Sequence, residues 1–187
     1  MAVEVVAGTR RRFTRAEYYR MVEVGILGKR DRVELIRGEI VEKFPVGRRH
    51  IAFVMNLSQL LILRLADRAS VSVHGAVALT DDTDTEPDLA VLRRRSYKHR
   101  EAFAEDAFMV IEVAEASLAY DRTTKLRLYV EAGIPEYWVV DCTSEIVEVY
   151  RHPGPDGYRD VTTITGTSAL ALQAFPDVTL TLAEIFA

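Results

Sequence analysis

The stretch Phe108–Val113, FMVIEV, constrains this chain more than any other. A continuous apolar run of this length reads as a central strand covered on both faces, which demands a sheet with layers on either side. Yet Glu112 sits within it. A buried ionised carboxylate costs several kcal/mol unless it is paired or bound to a cation. Glu112 must therefore lie beside a positive charge or at an opening.

Neighbouring segments supply the cover. FTRAEYYRMVEVG carries a capping box, Thr14 with Glu17, flanked by Phe13 and Tyr18, and stops at Gly25. RVELIRGEIVEKF sets Arg37-Gly38 between two β-prone runs, the mark of a hairpin. A long helix is expected from about His50 to Arg68, apolar nearly all round, so that it lies between the sheet and a second surface. VSVHGAVAL alternates as one strand, and EPDLAVL reads as a shorter one. Beyond Ser117 the chain turns helical through YDRTTKLRLYVEAG, with Gly133 and Pro135 as the stop. EYWVVD is another buried strand, and EIVEVYR and YRDVTTI flank HPGPDG as an outer hairpin. The closing TLAEIF opens on a second capping box, Thr181 with Glu184.

Strands that are sometimes adjacent and sometimes separated by helices imply an α/β (α+β) core, a mixed β-sheet flanked by helices. No repeat, low-complexity tract or linker interrupts the 187 residues, so a single domain spanning 1–187 is expected. The net charge of −4 excludes a global basic field for nucleic acid, and any such contact is local. Basic residues do cluster at Arg10-Arg11-Arg12, at Arg48-Arg49-His50, and from Arg93 to Arg100; solvated loops are the ordinary explanation of such runs. Cys142 stands alone, which excludes an internal disulfide and suits a cytoplasmic location. The first residues, MAVEVVAGTRRRF, lack the long apolar core of a signal peptide. IAFVMNLSQLLILRLA is interrupted by Asn56, Ser58, Gln59 and Arg64, so it reads as a buried helix and no membrane span is expected.

Strand parity puts Asp88, Ala90 and Leu92 on one face, and Phe108, Val110 and Glu112 on another. If the two strands are neighbours, two carboxylates converge. At ~4 Å and an effective dielectric near 20 they repel by roughly 4 kcal/mol, enough to force protonation or recruit a cation. Oxygen ligands of this kind select a hard divalent ion, Mg²⁺ or Mn²⁺. Taken alone, the pair also reads as two strand-end acids facing water. Lys125 belongs to a helical stripe with Asp121, Leu128 and Ala132. On spacing it either reaches the same strand end, where its ammonium orients a water, or forms an exposed pair with Asp121 worth ~0.3–0.5 kcal/mol. DDTDTEPD fails as a calcium loop because, counted from Asp82, Pro87 and Arg93 occupy the sixth and twelfth positions.

RVELIRGEIV, EPDLAVL, FMVIEVAEASLAYDRTTKLRLYVEAGIPEYWVVD and FPDVTLTLAEIF together resemble the Uma-type restriction-endonuclease family, a branch of the PD-(D/E)XK nuclease superfamily. The resemblance runs over nearly the whole chain and is most specific from Ile111 to Asp141. It implies a restriction-endonuclease-like core, a four-stranded mixed sheet between helices, here with the added outer hairpin. Pro87-Asp88 and Glu112 match the two acidic elements. Two residues after Glu112 stands Ala114 where the standard pattern has lysine, and Lys125 fills the place of a lysine carried on the following helix. Glu34 matches an additional upstream acid, and His50 a histidine near the site.

The function so implied is a Mg²⁺-dependent DNA endonuclease, with Asp88, Glu112 and the Val113 backbone carbonyl holding the ion, Lys125 orienting water and Glu34 assisting. A catalytically silent nucleic-acid-binding module on the same fold, using the Arg93 to Arg100 cluster, is the alternative, and a homo-oligomeric structural protein a third reading. The apolar long helix further suggests a homodimer, which would present two sites to a duplex.

Overall fold

The computed structural model describes residues 9–28 and 31–187; residues 1–8, on which the signal-peptide reading partly rests, lie outside them. The chain opens with α1 (Arg15–Glu23), whose Thr14–Glu17 capping box forms as expected. Strands β1 (Val33–Ile36) and β2 (Glu39–Glu42) make the hairpin, with Arg37 and Gly38 both at positive φ. That pair of left-handed residues is what a two-residue turn matched to strand twist requires. Gly38 also packs so closely that an added Cβ would lie 2.5 Å from Arg12 Cβ and 3.1 Å from the Phe13 backbone.

Helix α2 (Arg48–Leu65) follows, burying Phe53, Val54, Leu57, Leu61 and Leu65 on one face. After it come β3 (Ala69–Val73), β4 (Val77–Thr80), β5 (Thr83–Thr85), β6 (Leu89–Arg93), β7 (Ala102–Phe103) and β8 (Ala107–Ala114). Beyond β8 one continuous helical segment contains α3 (Leu118–Tyr120), a π-helical turn (Asp121–Lys125) and α4 (Leu126–Glu131). It ends at Gly133, φ +73°. Strands β9 (Glu136–Asp141), β10 (Ile146–Gly154), β11 (Gly157–Ile164), β12 (Ala169–Ala171) and β13 (Thr179–Thr181) precede α5 (Leu182–Ile185), which carries the second capping box.

Six strands form the main sheet in the order β11-β10-β9-β8-β6-β3. The β8–β9 pair is parallel and the others are antiparallel, so the sheet is mixed. Four consecutive strands, β9, β8, β6 and the edge strand β3, are the expected core, and β10 with β11 is the outer hairpin. One face packs Met109, Ile111, Val113 and Trp138 against α2, α5 and the β12–β13 pair. The opposite face packs Val110, Val139 and Tyr137 against Tyr129 of α4. Burial on both faces is what the apolar run of β8 demanded.

A second sheet of five strands, β2-β1-β5-β4-β7, was not foreseen. VSVHGAVAL is two strands in different sheets, not one. His74 stands at φ +51° and Gly75 lies so close to Ser72 that a Cβ would fall 2.1 Å from its Oγ. The chain therefore breaks there and crosses from the main sheet to the second. No helix among the described residues is long and apolar enough to cross a membrane.

Candidate active site

Strands β6 and β8 bring two acids together. Leu89 faces Ile111 and Ala90 faces Val110, which sets Asp88 opposite Glu112. Asp88 Oδ2 accepts the Val113 N–H at 2.7 Å, and the Asp88 N–H points to Glu112 Oε2 at 3.4 Å. Parity fails only at Phe108. The register shifts between Val91 and Leu92, so that Leu92 faces Ala107. The extra residue turns Phe108 to the opposite face, where its ring meets Phe175.

The other two expected residues arrive from different layers. Glu34 projects from β1 of the second sheet, and Lys125 closes the π-helical turn. Lys125 Nζ donates to Glu34 Oε1 at 2.7 Å and stands 3.2 Å from Glu112 Oε1. Both Lys125 and Glu34 are only 4% exposed, which removes the solvent-facing readings of each. Asp121 is buried as well and accepts a hydrogen bond from Ser117 Oγ at 2.5 Å. Tyr129, one turn beyond Lys125, donates its hydroxyl to Glu112 Oε1 at 2.7 Å. π-turns recur at functional sites because the extra residue re-aims side chains that a regular helix would spread.

His50, at the start of α2, reaches the same strand ends. Its Nδ1 lies 2.7 Å from the Val113 carbonyl oxygen, which only accepts, so Nδ1 carries the hydrogen. Nε2 lies 3.2 Å from Asp88 Oδ1 but out of line for a hydrogen bond, and finds no other partner among the described residues. His74 Nδ1 approaches the same oxygen at 3.5 Å. The Val113 carbonyl, expected to help Asp88 and Glu112 hold an ion, is shared with His50 and keeps one further lone pair.

Electrostatically the cluster is short of positive charge. Glu34, Asp88, Glu112 and Asp121 are all buried around the Lys125 ammonium, with Lys43 Nζ reaching only Glu34, at 4.0 Å. Burial pushes the Glu112 carboxyl up against the pull of Lys125, with Asp88, Asp121 and Glu34 adding to the rise. Asp121 is raised to about 6, chiefly by burial. Burial works against the Lys125 ammonium, but Glu112 and Glu34 outweigh it and hold the group well above the ordinary lysine value. For His50 burial likewise favours the neutral ring, while Asp88 and the Val113 carbonyl prevail and raise it. Such crowding of acids around too few cations is what a divalent ion relieves.

Two openings meet here. A small one of about 60 Å³ is lined by Glu34, His50, Asp88, Glu112, Asp121 and Lys125. A larger one of about 610 Å³ takes in His50, His74, Glu86 and Lys43. His50 lines both. The basic cluster after β6 is partly committed elsewhere, because Arg95 and Arg100 bind the buried Asp106 at 3.1 and 2.9 Å.

His74 and Tyr129 were not singled out from the sequence. A signal for Tyr129 existed in its i+4 spacing from Lys125, and one for His74 in the Gly75 that follows it, a residue better suited to a turn than to a strand interior.

Comparison with known proteins agrees with this architecture. The profile of the Uma2 family, described as "Putative restriction endonuclease", matches residues 15–183. A search among curated proteins gives no match. Among solved structures, a putative nuclease belonging to DUF820 from Anabaena variabilis ATCC 29413 superposes with a TM-score of 0.71 at 19% identity, covering 88% of this chain and 95% of that one. At that identity the likeness speaks for the fold.

Proposed function

The chain belongs to the Uma2 family, and from that premise we propose that it is a DNA endonuclease hydrolysing phosphodiester bonds at the Asp88, Glu112, Lys125 and Glu34 cluster. The observation that carries this reading is the placement of Lys125 Nζ between Glu34 and Glu112, at 2.7 and 3.2 Å, on the wall of an opening. A lysine on a helix thus takes up the role that Ala114 on the strand cannot.

The donor set suits Mg²⁺ or Mn²⁺. Asp88 keeps Oδ1 free of any hydrogen bond from Val113, Glu112 Oε2 has only a long contact to the Asp88 N–H, and the Val113 carbonyl adds a third oxygen. These three would hold the ion. When bound, such an ion supplies Lewis-acid stabilisation of the charge that builds on the phosphoryl oxygens. Lys125 donates a hydrogen bond to the attacking water and offsets negative charge around it. Glu34 fixes Lys125, and is itself fixed by the Glu86 N–H at 2.6 Å. Tyr129 holds one oxygen of Glu112 so that the other points toward the opening. Water forms the new P–O bond in line with the 3′ oxygen, whose bond to phosphorus breaks and which takes up a proton, so the products are a 5′-phosphate, as the family resemblance implies, and a 3′-hydroxyl.

The whole chain acts as one domain, and two copies pair about a twofold axis. Ile51, Met55, Ile62 and Leu63 leave α2 with a second apolar face exposed, which supports this pairing. The buried lone thiol of Cys142 suits the reducing cytoplasm.

Plasmid nicking in Mg²⁺ and Mn²⁺, with chelated controls, tests the activity. Metal-dependent nicks that vanish in Glu112→Gln support the nuclease reading. Retained, salt-sensitive DNA binding with no cleavage in either metal would replace it with a binding module on the same fold.

A further inference from the structure

Beside the oxygen cluster stands a second donor set that the nuclease reading leaves unused. We propose that His50 Nε2, His74 Nδ1 and Asp88 Oδ1 form a binding site for a first-row transition ion of the Zn²⁺ or Co²⁺ class, sharing only Asp88 with the oxygen-lined position.

The ligand atoms already lie at suitable spacings. Bonds of ~2.0–2.1 Å in tetrahedral geometry set ligand atoms roughly 3.3–3.4 Å apart. The two histidine nitrogens stand 3.2 and 3.5 Å from Asp88 Oδ1, and the three atoms all fall within 4.8 Å of one another. The remaining closure falls to His74, whose side chain is 49% exposed.

His50 supplies the independent sign of a ligand. Because its Nδ1–H is committed to the Val113 carbonyl, Nε2 of the neutral ring carries a bare lone pair that lies 3.2 Å from Asp88 Oδ1 but off the line to it, as two ligands of one ion do. With the His50 side chain 92% buried, the closeness of Nε2 and Asp88 Oδ1 at 3.2 Å is relieved either by a proton on the ring, which Asp88 favours, or by a metal ion seated off the line between them.

Each ligand is also braced from behind. A histidine that binds metal through one nitrogen characteristically donates the other N–H to a carbonyl, which is what His50 does. Asp88 is held through Oδ2 by the Val113 N–H, leaving Oδ1 for the ion. The His74 backbone N–H donates to the Asp88 backbone carbonyl at 3.1 Å, so the crossover between the sheets holds the residue beside Asp88. The larger opening, lined by His50 and His74, leaves room for water at the fourth position. Imidazole nitrogens favour Zn²⁺, Co²⁺ and their neighbours over Mg²⁺, which prefers oxygen, so the donor set itself discriminates.

Titration of the full-length chain, stripped of metal, with Co²⁺ tests the site through the visible absorption of the ion. One Co²⁺ per chain, bands of nitrogen-containing ligation that persist in a hundredfold excess of Mg²⁺, and at least a tenfold loss of affinity in His74→Ala are expected. His50→Gln provides a second variant with the same expectation, and circular dichroism checks that each folds. Co²⁺ affinity in folded His74→Ala within twofold of the parent, or displacement of Co²⁺ by Mg²⁺, overturns the proposal. Failure of the nuclease reading shows separately, as absence of Mg²⁺- or Mn²⁺-dependent nicking, and leaves the histidine-dependent Co²⁺ signal standing.

Discussion

At the scale of single residues, the two charges that matter most are Glu112 and Lys125, and they fail differently when removed. On the proposed mechanism Glu112→Ala takes away an ion ligand, so Mn²⁺ binding should weaken along with cleavage. Lys125→Ala leaves the oxygens in place and relieves their competition with the ammonium. It should bind Mn²⁺ as tightly as the parent or more so, while losing most of its cleavage, a defect confined to the transition state. Without metal the same variant strands Glu112 without its cation and leaves Glu34 only the more distant Lys43, at a cost of about 3–5 kcal/mol. Calorimetric Mn²⁺ titration beside plasmid nicking reads both effects, and an active Lys125→Ala protein would return the lysine to a structural role. Asp88 and Glu112 were legible in the sequence because strand parity and a carboxylate in an apolar run are local signals. Lys125 was half legible, since a helical stripe shows which face it shares but not that Glu34 waits across a different sheet. His74 was hidden by the even alternation of the residues around it, which disguised a crossover as a strand.

At the scale of elements, the hairpin of β1 and β2 positions Glu34, and its turn tolerates little. Gly38 stands at φ +78° with the Phe13 backbone where a Cβ would go. Gly38→Ala should therefore lower the unfolding free energy by about 1–2 kcal/mol for the left-handed backbone alone, with the close contact adding to it. Urea denaturation measures this, and a loss below ~0.5 kcal/mol would show that the turn shifts freely. Long elements were read well from the sequence: α1 with its cap, β8, β9, the outer hairpin and the helix after Ser117. The second sheet was not, because β4, β5 and β7 are four, three and two residues long, too short for a period to register. The bulge between Val91 and Leu92 escaped for a related reason, since one extra residue reverses parity without leaving a mark in composition.

At the scale of the whole molecule, the excess of buried acid links stability to pH and to metal. Asp121 has an ordinary value of 3.8 and is raised to about 6 in the folded protein, and Glu112 shifts in the same direction. Groups raised on folding favour the folded state while protonated, so the metal-free protein loses stability as pH climbs from about 4 through about 6, by about 3 kcal/mol for Asp121. Mn²⁺ should then raise Tm more at pH 7.5 than at pH 5, and equal shifts at both would contradict the charge account. The exposed face of α2 belongs to this scale too. Met55→Glu with Leu63→Glu should convert a sedimenting dimer to monomer, whereas a parent already monomeric at micromolar concentration would remove the twofold pairing. The Lys125–Glu34 contact, finally, runs from the main sheet's helix to the second sheet, and so works as a rivet between two plates. A ligand that draws on the rivet's partner, Glu112, must also retune how freely the plates part, since linkage is reciprocal. Amide hydrogens of β1 and β2, far from any ion ligand in the chain order, should thus change their exchange rates with deuterated water when Mn²⁺ is added. In the Lys125→Ala protein that distant response should disappear.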